Sequence, residues 1–451
     1  MAESDTEKGG EGTGRSVLSD YLTKIDQADQ VEVRGRVSEV TGLVVRASVP
    51  EAAVGDLVHV ERDRGDRLPA EVVGFQGEDV VLMPLGALEG ISPGAQVSAT
   101  GKPLTISCGE SLLGRVLDGL GRPIDGGPAL EGPDFEEWAI MRQPPHPLKR
   151  QRITEPLQLG IRVIDGFLTM GKGQRVGLFA GSGVGKSVLM GQAARGSDAE
   201  VNVICLVGER GREVRDFLEE TLGEEGMKNS VVVVATSDEP SLIRLKSCFV
   251  ATAIAEWFRD VQGKDVLLMM DSATRFARAQ REVGLAAGEP PAREGYPPSV
   301  FSMLPKLLER AGNSEDGTMT ALYTVLVAGG DMEEPIADEV RGIVDGHFVL
   351  SRELASRNHW PAMDVLHSLS RVMNQVASDE HVEAAGRFRE TLSTYEEKRD
   401  LISLGAYEYG SDPDVDYAID LIDEMEDILQ QGMQEFTPID ETVEMILDLF
   451  G

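Results

Sequence analysis

The chain has 451 residues, of which 77 are Asp or Glu and 43 are Lys or Arg, for a formal net charge of -34 at pH 7. That length allows roughly three domains of about 150 residues, and the charge argues against non-specific binding to nucleic acid or anionic lipid, which attract Lys and Arg. Three scattered cysteines, Cys108, Cys205 and Cys248, give neither a disulfide framework nor a zinc-site spacing. With no apolar run long enough to span a membrane and no secretion signal in "MAESDTEKGG", a soluble cytoplasmic protein is expected.

The first 30 residues read as a polar, Gly-rich tail followed by one short amphipathic helix, Ser16 to Ile25, with Val17, Leu18, Tyr21, Leu22 and Ile25 at helical spacing. From residue 31 to 103 the text becomes short Val-rich runs broken by Gly, Pro and Asp ("GLVVRASV", "DLVHVE", "AEVVGF", "DVVLMPL"). Such spacing predicts a small β-barrel. An oligonucleotide-binding barrel would need stacking aromatics, and Phe75 is the only aromatic in the region, so a structural or ring-forming barrel is favoured.

Residues 104–375 alternate strands and helices. The runs "RVGLFA", "VNVICLVG", "SVVVVAT" and "DVLLMMD" are almost wholly apolar and bounded by helical patterns, which predicts a parallel sheet buried on both faces. Residues 376–451 are helical in pattern, and beyond Arg399 there is no Lys or Arg at all. That acidic C-terminal region is either a simple solvated helical domain or a docking face for a basic partner. The expected fold class is α/β, a RecA-like parallel-sheet core carrying a phosphate-binding loop, with an N-terminal β-barrel and a C-terminal helical domain.

The chemistry starts at "AGSGVGKSV", comprising Ala180, Gly181, Ser182, Gly183, Val184, Gly185, Lys186, Ser187 and Val188. Between a strand and a helix, this spacing predicts a nucleotide-phosphate cradle. Its glycines turn backbone N–H groups toward phosphate, Lys186 supplies a point charge, and Ser187 offers a hydroxyl to Mg2+. Asp271, closing the strand "VLLMMD", stands where a carboxylate would hold the Mg2+ water shell, or caps the following helix. Glu209, closing the strand before "RGREVRDF", is placed to deprotonate an attacking water. A plain salt bridge to Arg210 or Arg212 is the alternative.

Taken together, "LLGRVLDGLGRPID", "GLFAGSGVGKS", "LVGERGREVRDF", "DVLLMMDSATRFARAQRE", "GEPPAREGYPPSVFSMLPKLLERAG" and "PAMDVLHSLSRVM" resemble the ring ATPases of flagellar and type III secretion export, relatives of the rotary ATP synthase catalytic subunit. The resemblance implies ATP with Mg2+ as substrate and cofactor, Glu209 as catalytic glutamate, and Lys186, Ser187 and Asp271 in the phosphate and magnesium roles. It further implies that Arg210 steadies that glutamate and the γ-phosphate, and that Arg371 is an arginine finger reaching a neighbouring subunit. A homohexamer is therefore implied. It would be cytoplasmic and peripheral to the membrane export gate, with a stator protein at the N-terminal helix, and a coiled-coil stalk and chaperone–cargo complexes at the C-terminal domain. Flagellar export is the leading reading and virulence-type secretion the alternative. An RNA translocase is disfavoured by charge, and a non-catalytic ring subunit by Glu209 and Arg371. One departure stands out: Glu380-His381 is followed by Val382, where many relatives carry a Tyr that stacks on adenine, so base stacking is expected to be weaker or supplied elsewhere.

Overall fold

The computed structural model describes residues 34–63 and 65–451. The expected tail and the helix at Ser16 to Ile25 lie outside the described residues. The described chain forms two compact units, one of residues 34–84 and 88–102, the other of residues 85–87 and 103–451.

The first unit is a closed six-stranded barrel: β1 (Arg34–Thr41), β2 (Val44–Ser48), β3 (Asp56–Glu61), β4 (Arg67–Gln76), β5 (Asp79–Pro84) and β6 (Gln96–Pro103), in the order β1-β2-β5-β4-β3-β6, with β1 returning to β6. Alternation along the strands sends Val45, Ala47, Val58, Val60, Ala70, Val72, Val80 and Leu82 inward. Small and β-branched residues fill so narrow a barrel without a cavity. Phe75 stays 56 % exposed, so the barrel presents no aromatic platform.

The second unit is built on an eight-stranded sheet. Its strands are β7 (Val116–Asp118), β8 (Arg175–Ala180), β9 (Val201–Glu209), β10 (Ser230–Thr236), β11 (Asp265–Asp271), β12 (Thr318–Leu326), β13 (Gly346–Leu350) and β14 (Leu369–Ser370), in the order β14-β13-β8-β12-β11-β9-β10-β7. All neighbours are parallel except β13 and β14. The order places β8, β11 and β9 near the middle, and in such sheets ligands gather at the carboxyl ends of the strands. Helices α1 (Lys186–Gly196), α2 (Ser241–Asp260) and α3 (Ala273–Ala286) follow β8, β10 and β11.

The C-terminal helices α4 (Asp379–Ser403), α5 (Pro413–Leu429) and α6 (Ile439–Phe450) do not form a core of their own. Phe388, Met425, Leu429, Ile446 and Phe450 belong to one apolar cluster with Phe167, Leu178 and Met190 beside the sheet. Phe388 bridges the two groups, its ring centroid 4.3 Å from Phe167 and 5.5 Å from Phe450. The expected C-terminal helical region is thus sealed onto the nucleotide core by apolar burial.

One ionic contact in this unit is wholly desolvated. Glu256 of α2 and Arg310 are each 1 % exposed, and Arg310 donates through Nε (2.7 Å) and Nη2 (2.5 Å) to the two carboxylate oxygens and through Nη1 to the Ile140 carbonyl at 2.7 Å. Removing one partner of such a pair leaves an uncompensated buried charge. We expect Glu256→Leu to cost about 3–5 kcal/mol, and the Glu256→Leu/Arg310→Met double variant to recover most of the lost thermal midpoint. A double variant that melts below either single one would show that the site tolerates neither charge nor its removal.

Candidate active site

The phosphate-binding loop leaves β8 at Ala180 and enters α1 at Lys186. Gly183 (φ 78°) and Gly185 (φ 84°) hold left-handed conformations that favour glycine. At Gly181 a Cβ would stand 2.6 Å from Nε of Arg352, a flexible side chain that would have to move aside. Gly185 is required for both reasons, since its Cβ would meet the Trp360 ring at 2.9 Å. Val184 is buried and anchors the loop, while Ser182 and Ser187 are exposed.

Lys186 and Asp271 meet. The ammonium donates to Asp271 Oδ1, and the same oxygen accepts from Thr324 Oγ1 of β12 at 2.8 Å. Asp271 is 2 % exposed, and these two donors satisfy a carboxylate that burial would otherwise penalise. Ser187, Glu209, Glu213, Asp216 and Asp271 line a common cavity of about 180 Å³. Three of the expected residues, from three separate strand ends, therefore face one small volume.

Glu209 ends β9 with its side chain 12 % exposed. Burial in the cleft pushes its carboxyl up to about 7, the nearby Asp271 charge adds to that, and the Arg275 guanidinium opposes it. Arg275 Nη2 lies 3.1 Å from Glu209 Oε1. The expected tie between Arg210 and Glu209 is absent. Arg210 caps the helix Gly211–Asp216, its side chain turns outward at 80 % exposure, and it pairs with Glu213 at 2.9 Å. Neighbours at a strand end point to opposite faces, so the residue beside Glu209 is poorly placed to hold it. Arg275 arrives instead from the first turn of α3, passing Gly208 (φ 66°), where a Cβ would stand 3.0 Å from Arg275 Cδ.

Beyond the loop opens a larger cavity of about 670 Å³, lined by Val184, Val188, Leu350, Trp360, Pro361 and Met433 among others. Its apolar walls and its indole suit a flat heteroaromatic ring. Val382 is not among its lining residues. It follows His381, which is buried and bonded through Nε2 to the Gly166 carbonyl at 2.6 Å. The missing Tyr after Glu380-His381 therefore leaves this cavity intact, because Trp360 supplies an aromatic wall from another segment.

Arg371 is nowhere near the loop. Its backbone N–H donates to the Asp345 carbonyl, and Asp345 in turn donates to the carbonyl of Arg175, the first residue of β8. The loop leaves the opposite end of that strand, five residues or about 16 Å away. The Arg371 side chain is exposed and makes no hydrogen bond or ion pair among the described residues.

Segments of the chain match three family models: the ATP synthase alpha/beta family beta-barrel domain over residues 37–101, the nucleotide-binding domain of that family over 160–370, and the T3SS EscN ATPase C-terminal domain over 377–448. The flagellum-specific ATP synthase of Bacillus subtilis (strain 168) is 51% identical over 95% of this chain and 97% of its own length. The type 3 secretion system ATPase of Xanthomonas euvesicatoria is also 51% identical, over 91% and 93%. The assembled ATPase EscN of the enteropathogenic E. coli type III secretion system superposes with a TM-score of 0.87 at 45% identity, covering 92% of this chain and 100% of that one. Solved together with its central stalk EscO, it gives a TM-score of 0.85. With sheet, loop and buried acids arranged as described, the chain belongs to the ATP synthase alpha/beta family, within its flagellum-specific and type III secretion ATPases.

Proposed function

We propose that this protein hydrolyses ATP as a homohexameric ring that energises protein export at the flagellar type III secretion apparatus, acting at the cytoplasmic side of the membrane export gate. The observation that carries hydrolysis is the convergence of Lys186, Ser187, Glu209 and Asp271 on one cleft at the carboxyl ends of β8, β9 and β11. Among the described residues no helix is long and apolar enough to cross a membrane.

Glu209 accepts the proton of the attacking water, and Arg275 holds that carboxylate in place and in its charged form. The loop N–H groups and Lys186 bind the phosphates, and Trp360 stacks on the base. The site fits Mg2+ through hard oxygen donors: the Ser187 hydroxyl and the Asp271 carboxylate share one cavity. Among the described residues no cluster of three or more metal-binding side chains exists, as befits an ion held by one or two protein oxygens together with substrate phosphates. When bound, Mg2+ neutralises charge on the transferring phosphoryl group.

Arg371 lies a strand's length from its own loop, which supports its service to a neighbouring subunit and hence a ring. The stalk and chaperone–cargo complexes are assigned to the C-terminal helices, and the stator to the N-terminal segment.

Only ionised Glu209 can accept a proton, and its carboxyl is raised to about 7. Hence kcat/KM should fall as pH drops below about 7. Arg275→Gln removes the cation that opposes the rise, so the limb should move to higher pH. A limb that stays in place on Arg275→Gln would detach Arg275 from Glu209.

Phosphate release per chain, followed over a wide protein concentration with Glu209→Gln as the blank, tests the ring. Specific activity should climb steeply as the chain assembles, and Arg371→Ala should assemble yet lose on the order of 10³-fold in kcat. Flat activity in a protein that stays monomeric would refute the shared site.

A further inference from the structure

The cavity beside the phosphate loop has one wall with no regular secondary structure. Residues 430–437, between α5 and α6, contribute Gln430, Gln431, Gly432, Met433 and Glu435 to it. A backbone without a ladder of its own keeps its shape only if other groups satisfy and hold it.

One side chain does much of that holding from the opposite end of the sequence. Arg162, in the helix Arg162–Phe167, is 7 % exposed. Its Nε donates to the Ile428 carbonyl at 3.1 Å. Its Nη1 donates to Thr437 Oγ1 at 3.2 Å and to the Glu435 carboxylate, and its Nη2 to the carbonyls of Gln430 and Asp427. Its backbone N–H donates to Gln431 Oε1 at 2.8 Å, while Gln431 returns a bond to the Gly160 carbonyl at 2.8 Å. Gln431 also donates its own N–H to the carbonyl of Trp360 at 2.8 Å. Every side-chain contact of this guanidinium therefore falls between residues 427 and 437, and none reaches Lys186, Ser187, Glu209 or Asp271.

We propose that Arg162 is a positioning residue for recognition of the nucleotide base: it fixes the strap at 430–437, and through Gln431 the Trp360 wall, so that the cavity keeps the width of one heteroaromatic ring. This rests on the reading of that cavity as the base site. The phosphate end is held independently by the loop glycines and by Lys186. Losing Arg162 should therefore weaken ligands that carry a base and spare ligands that do not.

The experiment compares KM for ATP with the inhibition constant of Mg2+-tripolyphosphate, which offers the same phosphates and no base, in Arg162→Gln, Glu435→Ala and Trp360→Ala. Because bonds to a charged group are worth more than neutral ones, Arg162→Gln should raise KM for ATP by about tenfold and leave the tripolyphosphate constant unmoved. Glu435→Ala removes one of the guanidinium's contacts and the bond from the Gly432 N–H (2.9 Å), on a side chain that is 46% exposed, so it should shift the same ratio less while melting close to the parent protein. It decides the matter if Arg162→Gln does not fold. A parallel rise in both constants, or none in either, overturns the role of Arg162. Trp360→Ala separates the two readings: if it moves the ratio and the strap variants do not, Arg162 alone is wrong. If Trp360→Ala fails to move the ratio, the cavity is not the base site and the inference falls with it.

Discussion

Everything at this site answers to a charge balance struck in a cleft with little water. Two carboxylates, the largely covered Glu209 and the buried Asp271, end strands β9 and β11, two neighbours in a sheet. Two cations, Lys186 and Arg275, are spent on them. Without Lys186 and the Thr324 hydroxyl, Asp271 would be an unsatisfied buried charge, and without Arg275, Glu209 would hold its proton more tightly than it does. The arrangement is also poised for exchange. A triphosphate in the loop competes with Asp271 for Lys186, and the carboxylate it frees faces the Ser187 hydroxyl across the same cavity. The sheet, in this view, brings acids and cations from residues 186 to 275, and the Thr324 hydroxyl, into contact on a closely packed scaffold.

The base end obeys a different constraint. Its cavity is apolar, and its walls come from the phosphate-loop helix, from the segment at Trp360 and from the strap before α6. Because α4, α5 and α6 share their core with the sheet through Phe167, Phe388 and Phe450, the strap is fixed relative to α1. Gln192 and Arg195 of α1 donate to the carbonyls of Gly432 and Met433 at 3.0 and 2.8 Å. The strap ahead of the last C-terminal helix is in this sense a wall of the cavity beside the phosphate loop.

What could be read from the sequence was what is local. The phosphate loop, the apolar strands β8 to β11 and the Val-rich barrel strands each carry their signal within a dozen residues, by spacing or by alternation. Glu209 and Asp271 were legible because a lone acid ending an apolar strand is a local pattern too. Arg275 was not, since its link to Glu209 is made across two strands and depends on Gly208 leaving room. Arg210, the residue the resemblance implies, directly follows Glu209, and in extended backbone successive side chains point to opposite faces. Val382 marks only where an aromatic is missing, whereas Trp360 is brought to the cavity by folding. Nothing in the periodicity of residues 430–437 marks them as a wall, because the groups that hold them, Arg162, Gln192 and Arg195, come from far along the chain.

Distance along β8 separates the phosphate loop from Arg371. A strand that delivers Ala180 to the nucleotide at one end must leave Arg371, bonded beside its first residue through Asp345, at the other. No side-chain rotamer spans that gap, so in the ring proposed above the exposed Arg371 guanidinium serves the nucleotide of another copy. Assembly then has to bring together chains of formal net charge -34, and like charge at that scale opposes close approach until salt or local pairing screens it. Local pairing is what an exposed arginine beside an anionic nucleotide provides. In the proposed ring that contact sets an arginine against an anionic nucleotide between two acidic chains, so the proposal couples occupancy of the site and cohesion of the ring through the same charge.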